Sequence, residues 1–95
     1  MYDLYDAVMA VKNRSEFEDF MSDLMSKVEI KRIRRRWEIA QMLYRRDTQR
    51  EIAKEINTGI NTVSQIARNI KPDAGKGFVA VIQKLQAGGK PNRRK

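Results

Sequence analysis

The sequence predicts an all-α domain of about six helices built around a central helix-turn-helix. Three observations carry that expectation. No glycine or proline precedes Gly59, so neither of the two strong helix breakers interrupts the first part of the chain. Apolar residues recur at spacings of three and four, and no stretch alternates with the period of a strand. Two short segments joined by Asn57-Thr58-Gly59 carry apolar and small residues at the spacing that lets two helices cross.

Taken in order, Leu4, Val8 and Val11 mark a first helix that ends near Asn13. Ser15 followed by Glu18 reads as a capping box for a second helix. Its apolar face is Phe17, Phe20, Met21, Leu24 and Met25. A third segment starts near Val28 and reaches about Arg45, roughly 25 Å at the rise of an α-helix. Ile30, Ile33, Trp37, Ala40 and Tyr44 form its stripe, and Ile39 and Leu43 widen it enough to face more than one neighbour. Trp37 on that stripe reads as core. The intervening Lys31, Arg32, Arg34, Arg35 and Arg36 admit two readings. They are either a phosphate or partner surface, or a solvated face balanced locally by Glu29 and Glu38.

Thr48 and Glu51 form a further capping box, opening a helix of about eight residues with Ile52, Ala53 and Ile56 inward. After Asn57-Thr58-Gly59 a fifth helix begins near Ile60, with Val63, Ile66, Ala67 and Ile70 on one face, and Pro72 stops it. Phe78, Val81, Ile82 and Leu85 give a last helix, ended by Gly88-Gly89. The expected organisation is one domain over 1–87, with the helix-turn-helix at 48–70 and a basic tail at 88–95. The last six residues, Lys90 to Lys95, include no apolar residue, so disorder is expected there.

Composition narrows the function. The 95 residues contain no cysteine and no histidine, which excludes disulfide scaffolds, the usual zinc sites and His- or Cys-based catalysis. No suitable pair of carboxylates and no phosphate-cradling glycine loop is evident, so neither an enzyme nor a cofactor or metal is expected. No apolar run approaches the roughly 20 residues of a membrane span, and the start Met1-Tyr2-Asp3-Leu4 lacks the pattern of a signal peptide. A cytoplasmic setting follows. The net charge is +8, unevenly placed. Residues 1–27 hold six acids and three bases, whereas residues 28–95 hold seventeen bases and six acids. A basic block beside an acidic one points to an anionic partner for one part only, and nucleic acid is the commonest.

The helix-turn-helix frame runs from Gln49 to Arg68. Ala53 sits where two crossing helices leave room only for a small side chain. Ile52, Ile56, Val63 and Ile66 supply the packing, and Asn57 takes the turn position that favours the left-handed conformation. An ordinary helical hairpin would share this packing but not the surface that follows it. Asn61, Thr62, Ser64, Gln65 and Arg68 are short or bidentate, and no acid is among them. Asn and Gln suit adenine edges, Arg suits guanine or phosphate, and Ser or Thr suit either. Free N–H groups near Gly59 and Ile60 can meet a phosphate. Gln49, Arg50 and Lys54 lie where the first helix of such a motif crosses the DNA backbone.

These residues resemble the Trp repressor superfamily. The stretches Arg36-Trp37-Glu38-Ile39-Ala40-Gln41-Met42-Leu43, Thr48-Gln49-Arg50-Glu51-Ile52-Ala53-Lys54-Glu55 and Gly59-Ile60-Asn61-Thr62-Val63-Ser64 look like its third, fourth and fifth helices. The resemblance covers about residues 4–86 and is most specific over 36–70. It is strongest to Trp-repressor-related bacterial proteins without the tryptophan-binding signature. It implies an interleaved homodimer that binds palindromic operators in double-stranded DNA, most simply as a repressor. By position, Gln49 and Arg50 would meet phosphate and a base, while Ile60, Asn61 and Ser64 would face the groove. The family's ligand pocket uses an arginine in the third helix, matched here by Arg36, and an Arg-Gly pair, replaced here by Gln65-Ile66. The replacement removes a partner for the ligand carboxylate and puts a branched side chain where the indole would lie. Tryptophan is therefore not expected as corepressor, and any effector at Arg36, Gln65 and Ile66 is unknown. A homodimer is also expected because at least three apolar stripes exceed what so short a chain can bury alone. The competing readings are a helix-turn-helix that docks on transcription or replication proteins, and a general DNA- or RNA-binding protein.

Overall fold

A computed structural model describes residues 1–70 and 76–88. Its six helices are α1 (Leu4–Ala10), α2 (Arg14–Leu24), α3 (Lys27–Tyr44), α4 (Gln49–Glu55), α5 (Ile60–Asn69) and α6 (Lys76–Gln86), with no strand among the described residues. The all-α expectation holds. The chain divides into two units, 1–34 and 35–95, with the boundary inside α3.

In the first unit, local hydrogen bonds decide where each helix begins. Asp3 caps α1, accepting from the Asp6 amide at 2.8 Å, while the Asp6 carboxylate accepts from the Asp3 amide at 3.3 Å. α1 stops at Ala10 rather than near Asn13, because Val11 is already extended. The second cap is Asn13, not Ser15. Asn13 has extended backbone and its side-chain Oδ1 accepts from the Glu16 amide at 2.9 Å. Glu16 in turn accepts from the Lys12 amide at 2.9 Å. An Asn reaches the third helical amide as well as a Ser does, and here it comes first in the chain. Ser26 and Glu29 form a reciprocal box at the start of α3, with bonds of 3.1 and 2.8 Å. The Ser26 amide donating to the Glu29 carboxylate, and after it the Ser26 side chain, hold the Glu29 carboxyl below its ordinary value. No residue of 1–34 is buried. Leu4, Tyr5, Val8, Met9, Phe17, Leu24, Val28 and Ile33 are all exposed.

The second unit has a core. Ile39 of α3, Ile52 of α4 and Val63 of α5 are wholly removed from water, at 0% exposure. Met42, Leu43, Ala53, Ile56 and Ile66 pack round them. On α3 the buried pair is Ile39 and Ala40. The anticipated stripe is thus rotated: Ile33 is exposed, and Ile39, taken from the sequence as a flank, lies at the centre. Helical periodicity gives a face but not its midpoint, which the crossing of α4 and α5 selects here. On α6 only Ile82 is buried, and Val81 and Leu85 are exposed. Trp37 and Phe78 meet with ring centroids 6.0 Å apart, a tilted aromatic pair.

Both helix ends that flank α4's turns use the same device. Asn57 is left-handed, with φ 54°, as its place in the frame predicts. The Thr58 amide reaches Ala53 O at 3.0 Å and the Asn57 amide reaches Lys54 O at 3.3 Å, the paired bonds of a Schellman motif. Arg46 is also left-handed, with φ 77°, and nothing in the sequence marked it. Asp47 N–H to Met42 O and Arg46 N–H to Leu43 O, each 3.0 Å, close α3 identically. Arg45 holds the strained residue from both sides of the turn: its Nε donates to both Asp47 oxygens at 3.1 Å, and its Nη2 lies 3.5 Å from Glu55 Oε1. The hydrogen bond from Arg45 lowers the Asp47 carboxyl below its ordinary value, and the same bond raises Arg45. Pro72, Gly89 and the basic tail from residue 89 on lie outside the described residues.

Candidate nucleic-acid interface

α4 and α5 carry the candidate site, and the core beneath sets which side chains they show. Val63, half-buried Ile66 and half-buried Ala67 face inward, so the intervening positions of α5 face out. Asn61, Thr62, Gln65 and Arg68 are exposed there, as the sequence predicts. Ile60 is exposed as well, at 45%. The first turn of α5 carries no acid, and its last turn carries Arg68. On α4, Arg50 and Lys54 are exposed. The Thr48–Glu51 capping box is present, with bonds of 3.0 and 2.8 Å, so the start of α4 is fixed.

Gly59 is the N-cap of α5 and makes no side-chain cap bond. Its φ of −75° is open to any residue, and a Cβ there would touch nothing within 4 Å. Its conformation therefore does not require glycine. What its small size leaves is unobstructed approach to the first amides of the helix, which point outward from a positive helix end.

Gln49 and Ser64 differ from the rest. Both are half-buried, and the Ser64 hydroxyl donates to Gln49 Oε1 at 2.7 Å. The two sequence-predicted contacts are therefore joined to each other across the motif. Arg35, which the sequence did not single out, also reaches into the motif. Its Nη1 donates to Ile56 O at 3.0 Å, and its Nε lies 3.7 Å from Glu38. The acceptor is a carbonyl at the C-terminus of α4, where the helix dipole favours a cation. Arg35 is thus drawn from the basic cluster into the turn of the motif, which spacing on one helix cannot reveal.

The expected effector residues are not assembled in the same way. Arg36 and Gln65 are exposed, whereas Ile66 is part of the packing against Ile39, Ile52 and Val63. A separate groove between α3 and α6 is lined by Tyr44, Ile82 and Leu85 with Gln41, Arg45 and Gln86, and includes none of the three. No described helix is long and apolar enough to cross a membrane.

A family model described as the Trp repressor protein matches residues 1–86. A search of curated proteins and a search of solved structures each found no match. The chain belongs to the Trp repressor family. That membership points to a DNA-binding regulator of the helix-turn-helix kind, a family of regulators rather than enzymes.

Proposed function

We propose that this chain is a cytoplasmic, homodimeric transcriptional repressor that reads double-stranded DNA through α5 and does not respond to tryptophan. The observation that carries the reading is the acid-free outer face of α5. Asn61, Thr62, Gln65 and Arg68 stand exposed on a helix held by a wholly buried Val63. Amide edges on such a face suit adenine, and guanidinium suits guanine or phosphate. Arg50 and Lys54 on α4 are exposed where the backbone of a duplex would pass. The dimer is supported by residues 1–34, whose exposed apolar side chains include Phe17 and Leu24. A dimer would set two α5 helices about 34 Å apart, one turn of DNA. Independence from tryptophan is supported by Gln65 and Ile66. The first offers no charge to a carboxylate, and the second is engaged in core packing.

A gel shift on duplexes selected from a random library, across salt and with single-stranded RNA as competitor, tests the reading. Asn61→Ala or Gln65→Ala should lower affinity for the preferred duplex by about 5- to 100-fold and spare random DNA. Lys54→Ala should weaken both, with the slope of log affinity against log salt falling by about 0.9. Equal losses from Asn61 and Gln65 on both duplexes would leave α5 a general DNA-coating surface, and failure to bind any duplex would favour a protein-docking helix-turn-helix. Calorimetry should show no saturable binding of L-tryptophan at micromolar concentration.

A further inference from the structure

The bond between Ser64 and Gln49 gives one position of the interface a defined chemistry. Ser64 Oγ donates to Gln49 Oε1 at 2.7 Å, with both side chains half-buried. The partners are fifteen residues apart, one at the start of α4 and one in the second turn of α5. Two helices fixed by the same core therefore set the bond. A carboxamide has one oxygen acceptor and one NH2 donor group. With the oxygen turned to Ser64, the NH2 is the end of Gln49 that keeps its full capacity for a partner. A free glutamine recognises adenine by using both groups at once, accepting from N6 and donating to N7. The Ser64 bond takes one of the two lone pairs of that oxygen and fixes the plane of the carboxamide, so it competes with that two-point pair.

We infer that Ser64 is a positioning residue that fixes the carboxamide of Gln49 with its oxygen turned to α5, so that Gln49 selects a hydrogen-bond acceptor on the duplex through its NH2 and disfavours the two-point edge of adenine. The inference rests on the reading of α4 and α5 as a DNA interface. The acceptor chemistry is shared by a phosphate oxygen, by O6 and N7 of guanine and by O4 of thymine.

The test uses the full chain and duplexes it enriches from a random library, with Ser64→Ala, Ser64→Thr, Gln49→Ala and the Ser64→Ala/Gln49→Ala double variant. Alanine is a better helix former than serine, so loss of α5 does not confuse the result. If the acceptor is a base, Ser64→Ala should admit adenine at one base pair of each half-site, changing preference there by about tenfold. If it is a phosphate, Ser64→Ala should weaken preferred and random duplexes alike. In both cases Ser64→Thr keeps the hydroxyl and the wild-type behaviour, and Ser64→Ala adds nothing once Gln49 is alanine. The inference is overturned if Ser64→Thr behaves like Ser64→Ala, if the two single losses simply add, or if Ser64→Ala changes nothing. A wild-type chain with a clear preferred duplex and a silent Ser64→Ala overturns this inference alone. A wild-type chain with no preferred duplex overturns the interface reading as well.

Discussion

Residues 35–88 bury Ile39, Ile52 and Val63 completely, whereas residues 1–34, also mostly helical, bury nothing. The contrast is not one of helix quality. The first unit has well-formed caps at Asp3, Asn13 and Ser26, equal to the Thr48 cap in the second. It is a contrast in what the apolar faces meet. In the second unit they meet each other across α3, α4 and α5. In the first, Val8, Phe17 and Leu24 face outward. Good local capping starts a helix, but isolated helices this short are marginal in water without a covered apolar face. The comparison teaches that capping alone starts the helices of 1–34, whereas the helices of the second unit are also held by a shared core.

The comparison breaks most readily at the core. Ile52→Ala or Ile39→Ala should cost about 2–5 kcal/mol in urea denaturation, because each leaves a cavity in a fully packed cluster. A loss below about 1 kcal/mol would mean that the second unit does not hold itself together. Next comes Phe17→Ala with Leu24→Ala. If these side chains stayed in water, the pair would change stability by no more than about 0.5 kcal/mol each. Covered by a second copy, they should lower the unfolding midpoint in a concentration-dependent way and raise the monomer fraction in sedimentation. A folded monomer at micromolar concentration with unaltered variants would remove the dimer.

Smaller effects sharpen the contrast. Arg35→Ala should cost about 1–2 kcal/mol by orphaning the Ile56 carbonyl. Arg32→Ala, on the exposed cluster seven residues before Ile39, should stay within about 0.5 kcal/mol by thermal unfolding. Thr48→Ala should cost about 1 kcal/mol. The smallest effects are in acid. Glu29 in the first unit and Asp47 in the second are both held below their ordinary values of 4.5 and 3.8. A carboxyl lowered in the folded state adds stability that is fully present above its unfolded value and is lost as pH falls through the folded one. Stability should therefore fall below about pH 4.5 through Glu29 and, lower still, through Asp47. Asp47→Asn should flatten the lower part of that acid limb, and Glu29→Gln the upper part. An acid limb unchanged by either variant would sink this assignment.

The amino-acid sequence by itself determined the fold class, the helix-turn-helix and most of its outer face. Those features depend on spacing along one helix and on turn chemistry at single positions. The period of the apolar residues placed Val63 and Ile66 inward and so placed Asn61 and Gln65 outward. Thr48 with Glu51 announced the start of α4, and Asn57 announced its end. The same local logic failed at the start of α2, where Asn13 rather than Ser15 is the cap because the chain had already left α1 at Val11.

What only the tertiary structure decided are contacts between residues distant in sequence. Which part of the broad α3 stripe becomes core was settled by what crosses it, so Ile39 is buried and Ile33 is not. Arg46 adopts a left-handed backbone that its side chain does not favour, because two backbone bonds and the Arg45–Asp47 pair close the turn around it. Arg35 was one base among five until the end of α4 came within 3.0 Å of it. Gln49 and Ser64 read from the sequence as two independent DNA contacts, yet their hydrogen bond makes them one unit. Side-chain chemistry is carried by each residue alone. Which atoms of a side chain remain free to use it is set by the neighbour that folding brings, and that neighbour is chosen by the packing of whole helices.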